Sequence, residues 1–473
     1  MTVLSYMFKI KNWGFKKLLF IMLDTQKDFA LNHLIPSDAR MITVAWLAWG
    51  DEGKGKVAAS LDGWYDIVAA ANGGGNAGHN VIVHEGTKDE KKLHFHELPW
   101  ASVAGVPTYI SWGRVVNVSK LSEEIEQLQA HTSTQVDIIL SVHSQIILPS
   151  LQQKLDAEIE WNITSNGGKN VGTTKKWIWP AYWLKALRVW MNVGQLLYED
   201  DEYIRRKVAS IVHIFSSLDS ESIIQEYILE REKLKLLISQ GIIRIDETNT
   251  YVSDTISSSW KNIVVECSQS VMLSLSGNAY PNCTSSECWF NGIAPSLGVE
   301  WPWFKVGVIK AIPSKVGNGI FPTKFDDNKV QEDFIAAYRK AAWEYGATTG
   351  RPRDVWFLDA VQLRYVFKNG NRPDILWMNM VDLLSFLHKN WISNKVAVWY
   401  RAKHNHTQEI HTFTDTVPPS QFTIVDILYR DLPDVTSEND YPWYVDAVRK
   451  ALWFEWPIVI WVGPWSKDNM LFE

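Results

Sequence analysis

Ile42-Thr-Val-Ala-Trp-Leu-Ala-Trp49 runs without a break into Gly50-Asp-Glu-Gly-Lys-Gly-Lys56, and this junction decides the fold. An apolar run of this kind before a glycine-rich loop reads as a buried strand feeding a tight turn. A short helix near Lys56–Leu61 follows, and Asp66-Ile-Val-Ala-Ala-Ala71 supplies a second strand. A β-loop-α-β opening belongs to a parallel sheet with helices on its faces. The spacing predicts helices over 119–130, 200–240 and 329–345, and buried strands within 135–148, 262–266, 304–311, 395–399 and 457–462. The predicted class is therefore α/β: a single large domain around a mostly parallel central sheet, with helical excursions and a P-loop-like phosphate loop.

Composition narrows the partners. The 473 residues are 46 % hydrophobic and 21 % charged, which excludes a disordered or collagen-like chain. A net charge of −6 gives no basic field for nucleic acid. No apolar run approaches the roughly 20 residues of a membrane span. Leu18–Leu23, behind Lys9, Lys11, Lys16 and Lys17, stops at Asp24, short of the roughly 7–15 residues of a secretory apolar region. Residues 1–40 thus read as an N-terminal extension or an over-extended gene start, and 41–473 as the catalytic domain. Cys267, Cys283 and Cys288 lack metal-ligand spacing and read as reduced thiols, so a cytoplasmic protein is expected.

The loop at 50–56 carries the sharpest chemistry. Glycines let backbone N–H groups approach phosphate oxygens at a helix N-terminus, and Lys54 and Lys56 add positive charge. Gly50, Gly55 and Lys56 satisfy G-x4-G-K, but Val57 stands where a Mg-binding Ser/Thr belongs. Instead a carboxylate, Asp51, sits inside the loop, where repulsion from phosphate needs a metal or a proton-transfer role to offset it. After the second strand comes Gly73-Gly-Gly-Asn-Ala-Gly-His79, a glycine loop that places an imidazole near a transferring phosphate.

Together the two loops resemble the adenylosuccinate synthetase family, whose signature is WGDEGKGK followed by NAGH. Further strings follow in the family's order. Gly172-Thr-Thr-Lys-Lys-Trp-Ile-Trp-Pro-Ala-Tyr182 is similar to GTT-x-x-GIGPAY. Glu266-Cys-Ser-Gln269 with Tyr280-Pro and Thr284-Ser-Ser286 resembles EGAQ…YPYVTSS. Val306–Ala311 and Phe321-Pro-Thr323 match GV-x-KAY and FPTE, Gly346–Arg353 matches GATTGRPR, and Val462-Gly-Pro464 stands at the closing TGP.

The resemblance implies GTP-driven condensation of IMP with L-aspartate to adenylosuccinate, GDP and phosphate, with Mg²⁺ as cofactor. It casts Asp51 as the base at IMP N1 and, with the Gly78 carbonyl, as a Mg²⁺ ligand. His79 would stabilise the phosphates, and Gln269 would partner the 6-oxygen. Gly50, Glu52, Gly53, Lys54, Gly55, Lys56, Asp382 and Gly463 would hold GTP. Asn76, Ala77, Thr174, Thr284, Arg351 and Arg188 would hold IMP, with Arg188 supplied by a second subunit of a homodimer. Ala347, Thr348, Thr349, Gly350 and Arg353 would hold aspartate; guanidinium suits carboxylates through bidentate contact. Two other readings are a variant that uses dGMP, against which the retained Asp51 argues, and a catalytically impaired homologue serving as a binding subunit.

The sequence also departs from the family. The lysine of its TKLD segment is replaced by Met380, leaving Asp382 for guanine and the choice between GTP and ATP open. Tryptophan occurs 25 times against 27 glycines. Trp46, Trp177, Trp179, Trp190, Trp343, Trp356 and Trp465 fall where the family has glycine, a residue used for φ > 0 or close backbone approach. That regularity points to a gene in which UGA, written as tryptophan, is read as glycine; drift in a degenerate homologue is the rival reading. Trp in such loops, rather than in an amphipathic stripe, argues against carbohydrate or membrane binding.

Overall fold

The strand at the head of the phosphate loop spans Met41–Trp46, and every residue in it is buried. Met41 and Ala45 point to one apolar layer, Ile42, Val44 and Trp46 to the other. A strand covered on both faces is what an unbroken apolar run encodes in a parallel sheet. The computed structural model describes residues 20–21 and 34–472, apart from 51, 54, 56, 58–59, 62, 85–86, 166–177, 216–217, 278, 281, 301–303, 316–320, 326–328, 347–349 and 463–468.

Among the described residues the central sheet has eleven strands. Across it the order is Phe20–Ile21, Asn469–Phe472, Ile458–Trp461, Ile375–Asn379, Phe304–Lys310, Met41–Trp46, Ile263–Glu266, Ile67–Ala70, Thr108–Ile110, Ile138–Ser141 and Ile243–Asp246. From Ile458–Trp461 to Ile243–Asp246 all neighbours pair in parallel; the two strands beyond Ile458–Trp461 pair antiparallel. Met41–Trp46 is where the chain's path across the sheet reverses, with earlier crossovers on one side and Phe304–Lys310 on the other. In open α/β sheets ligands bind outside the carboxyl ends of the strands at such a switch point.

Several sequence expectations shift in detail. The strand ends at Trp46 rather than Trp49, because the next residues bend to bring their N–H groups onto Glu52. The 200–240 segment is two helices, Asp201–Ile214 and Ser220–Ser239. The 135–148 run breaks into Ile138–Ser141 and Gln145–Ile146. Lys395–His404 is a strand, but it belongs to a separate four-stranded sheet with Leu358–Asp359, Ile410–Phe413 and Phe422–Asp431. The packed unit also starts before Met41: Ile35 and Ala39 are buried in the layer that holds Ile42 and Val44.

The seven named tryptophans divide. Trp343 has φ +53°, as a glycine-type position predicts, whereas Trp46, Trp179, Trp190 and Trp356 are absent from the left-handed region. Trp177 and Trp465 lie outside the described residues. Trp356 is buried and stacks on Phe321 at 4.8 Å, and the Trp190 indole donates to the Ile146 carbonyl at 2.6 Å. At those sites the backbone is compatible with a side chain; what the indole changes is the space around it.

Candidate active site

Glu52 folds the phosphate loop onto itself. Its carboxylate accepts N–H groups of Trp49 at 2.9 Å, Ala48 at 3.3 Å and Gly50 at 3.4 Å. The side chain is thus committed inward, leaving only its backbone for the GTP-binding role the sequence suggested. Burial pushes the carboxyl up to about 8, against the pull of those N–H groups and of the Lys310 ammonium. With an ordinary value of 4.5, the native state keeps a proton the unfolded chain has lost. This group's stabilisation is therefore complete below about pH 4.5 and lost as pH rises through about 8. Glu52→Gln should flatten that decline in urea-unfolding curves measured across the window; an unchanged pH slope would show that the carboxyl is ionised in the native state.

Gly53 has φ +85°, and a Cβ there would lie 2.7 Å from Asn379 Nδ2. That amide donates to the Glu52 carbonyl, tying the loop to the end of strand Ile375–Asn379. Gly53→Ala is expected to cost about 1–2 kcal/mol in backbone strain alone, and more once Asn379 is displaced. A lowered melting temperature with weaker nucleotide binding is the expected readout, and a neutral substitution would contradict this turn geometry. Gly50 and Gly55 are also described; Asp51, Lys54 and Lys56 lie outside the described residues.

The second glycine loop is clamped to the segment after strand Ile263–Glu266. Gln269 Nε2 donates to Asn76 Oδ1 at 2.8 Å, joining two predicted site residues 193 positions apart. The Ser268 N–H donates to Asn72 Oδ1 at 3.0 Å and its hydroxyl to the Asn72 carbonyl at 2.5 Å. A Cβ on Gly73 would meet Ser268 Cβ at 2.4 Å, so only glycine permits this approach. Buried Arg114 closes the arrangement, donating to Ser268 Oγ, the His96 carbonyl and the Glu97 carbonyl at 3.0, 2.9 and 2.8 Å. Arg114 and Asn72 carried no motif signal, because their partners are backbone and hydroxyl groups distant in sequence.

His79 opens the strand His79–Val83 and is buried. Gly78 before it lies between two more imidazoles, since a Cβ there would be 3.0 Å from His96 Cε1 and 3.1 Å from His94 Cε1. His96 Nδ1 lies 3.2 Å from the Ala77 carbonyl, which pins the loop from outside.

Arg353 is buried, donating to Glu344 Oε2 at 2.7 Å, while Gly350 has φ +65° and Arg351 is exposed. The Gly346 N–H donates to the Arg351 carbonyl at 2.8 Å, while Ala347, Thr348 and Thr349 lie outside the described residues. Thr284 is half-buried, its N–H on the Leu273 carbonyl. Asp382 opens the turn Asp382–Leu384 next to Met380, which has φ +63°. Arg188 is exposed, with φ +66°, beyond helix Trp179–Ala186. Thr174 and Gly463 lie outside the described residues.

Two indoles flank the phosphate loop. A Cβ on Gly55 would be 2.6 Å from Trp100 Cδ1, and one on Gly50 would be 3.8 Å from the Trp46 ring. The Trp49 indole, by contrast, donates to Gln362 Oε1 at 2.8 Å.

Glycine loops converging at the carboxyl ends of central parallel strands define a nucleotide-handling α/β enzyme. The family model for adenylosuccinate synthetase matches residues 43–436. The chain belongs to the adenylosuccinate synthetase family, a family of carbon–nitrogen ligases. The adenylosuccinate synthetase of Lactococcus lactis subsp. cremoris is 32 % identical over 415 residues, 84 % of this chain and 88 % of that protein. That of Thermosipho africanus is 34 % identical over 376 residues, 78 % and 85 % respectively. The structure of fully ligated adenylosuccinate synthetase from Plasmodium falciparum aligns with a TM-score of 0.75 at 26 % identity, over 91 % of this chain and 99 % of that one. The succinoaminodeoxyadenylate synthetase of cyanophage S-2L shares the fold, with a TM-score of 0.56 at 16 % identity over 91 % and 95 %.

Proposed function

We propose that this chain joins IMP and L-aspartate at the expense of GTP, giving adenylosuccinate, GDP and phosphate. The observation that carries the reading is the Gln269–Asn76 contact, which brings the family's 6-oxygen partner onto the glycine loop that ends in His79. Asp51 takes the proton from IMP N1, sending electron density to the 6-oxygen, which attacks the γ-phosphoryl group as its bond to the β-phosphate oxygen breaks and GDP leaves. His79 and Lys54 hold the charge that spreads over the transferring oxygens; phosphoryl transfer is mostly positioning and charge neutralisation. Gln269 steadies the 6-oxygen. The aspartate amine then displaces phosphate from carbon 6, its carboxylates held by Arg353 and the 347–350 loop.

Asp51 carboxylate and Gly78 carbonyl are hard oxygen donors, and the flanking imidazoles leave Gly78 to offer backbone alone, so the donor set fits Mg²⁺. When bound there, Mg²⁺ would neutralise phosphate charge. Exposed Arg188 supports supply of that residue to a neighbouring subunit of a homodimer. Among the described residues no helix is long and apolar enough to cross a membrane. Cys267, Cys283 and Cys288 are thiols rather than disulfides, which supports a cytoplasmic setting.

Purified protein incubated with IMP, aspartate, GTP and Mg²⁺ should show the absorbance rise of adenylosuccinate. Product from dGMP and none from IMP would replace this reading with the deoxynucleotide one. Substituting ATP for GTP in the same assay decides what Met380 has done to nucleotide choice.

A further inference from the structure

Glu344 has zero exposure, and both its oxygens are occupied. Oε1 accepts from Lys310 Nζ at 2.6 Å; Oε2 accepts from Arg353 Nη1 at 2.7 Å and from Ser314 Oγ at 2.7 Å. Lys310 also donates to Ser314 Oγ at 2.9 Å. The two cations hold the Glu344 carboxyl below its usual range, although burial opposes them. The backbone repeats the connection: the Arg353 N–H donates to the Glu344 carbonyl at 3.0 Å, and Arg339 Nε to the Arg353 carbonyl at 2.6 Å. The cluster sits at the carboxyl end of strand Phe304–Lys310, close enough to Glu52 for Lys310 to act on it.

We propose that Glu344, braced by Lys310 and Ser314, is a positioning residue that aims the Arg353 guanidinium at the aspartate carboxylates. This rests on the assignment of Arg353 under the proposed function. A guanidinium gripped on one edge by a fixed carboxylate loses its rotational freedom before substrate arrives.

Steady-state kinetics of Glu344→Gln test it. KM for aspartate should rise about tenfold or more, with KM for GTP within about twofold. An unchanged KM for aspartate in a cooperatively melting variant, or an equal rise for every substrate, overturns the proposal. Removing one partner of a buried pair can unfold a domain, so Lys310→Met/Glu344→Gln, which removes one charge of each sign, is measured beside it with the same expected split. Ser314→Ala decides if neither folds: a selective rise in KM for aspartate supports the brace and none refutes it. Arg353→Lys separates the layers. If it leaves KM for aspartate unchanged, the Arg353 assignment fails; if it raises KM while Glu344→Gln does not, only the positioning role fails.

A second inference comes from the backbone. Among the described residues nine non-glycine positions have positive φ, and four are tryptophan: Trp260, Trp343, Trp391 and Trp453. Trp is about one residue in nineteen of this chain, and the residues that tolerate this region are Asn, Asp and His. All four sit just past a helix end, after Tyr251–Ser258, Lys329–Ala341, Ser385–Lys389 and Tyr441–Leu452, in the position glycine usually fills. All four are exposed, Trp391 at 95 % and Trp260 at 77 %, and none is buried in the core, although Arg40, Lys92 and Arg364 lie over the rings of Trp260, Trp343 and Trp453.

We infer that these four helix-terminating residues are glycine in the protein as its own cell makes it, through UGA triplets read as glycine. The coding triplets and peptide masses of the natively expressed protein test this. UGA at all four positions, UGG at Trp49 and glycine masses in the spanning peptides are expected; UGG triplets or tryptophan masses overturn it.

Discussion

Asp51→Asn is expected to lower kcat by about 10²–10⁴-fold, the range for loss of a positioned general base, with GTP affinity largely spared. The reason lies in the loop's charge. A carboxylate among phosphate-binding N–H groups weakens phosphate binding unless it does something else, and removing a proton from IMP N1 is the step that makes the 6-oxygen nucleophilic. Asn keeps the shape and removes the basicity. GTP affinity is read by calorimetry and turnover by adenylosuccinate absorbance. An active Asn variant would remove the base assignment, and a variant that loses both turnover and GTP binding would place Asp51 in binding instead.

His79→Asn should cost about 10²–10³-fold in kcat, as loss of one donor to developing charge does, with KM for aspartate nearly unchanged. His79 is buried at the start of its strand, its register fixed opposite Phe95. A buried donor in a fixed frame contributes most when charge appears, because it does not have to reorganise. An equal loss in Kd for GTP and in kcat would show uniform binding rather than transition-state stabilisation.

The α/β class and the place of the site were readable because one local pattern, an apolar run joined to a glycine loop, encodes both. A two-faced buried strand has few homes outside a parallel sheet, and Met41–Trp46 occupies one. The edges were less legible. Thr108–Ile110 is a strand of three residues, too short to carry a period, and Phe422–Asp431 is half exposed in a sheet apart from the core. Within the site, motif residues such as Gln269 and Asn76 were found and their meeting was implied by the family likeness. Arg114, Asn72 and Glu344 were not, since each acts on partners set by the fold: Arg114 on carbonyls and a hydroxyl, Glu344 on Lys310 from another element. The tryptophans were visible as an excess in composition, but only backbone angles separate Trp343, Trp260, Trp391 and Trp453 from indoles such as Trp49, whose ring is hydrogen-bonded into the core.

In the proposed reaction the 6-oxygen of IMP itself takes the γ-phosphoryl group before aspartate attacks. IMP carrying a heavy-oxygen label at that atom tests it directly. The purified enzyme with GTP, aspartate and Mg²⁺ should release phosphate that carries the label, one labelled oxygen per adenylosuccinate formed. Unlabelled phosphate accompanying adenylosuccinate would mean that GTP is cleaved by water and that the oxygen leaves by another route, and it would rule out phosphorylation of the 6-oxygen.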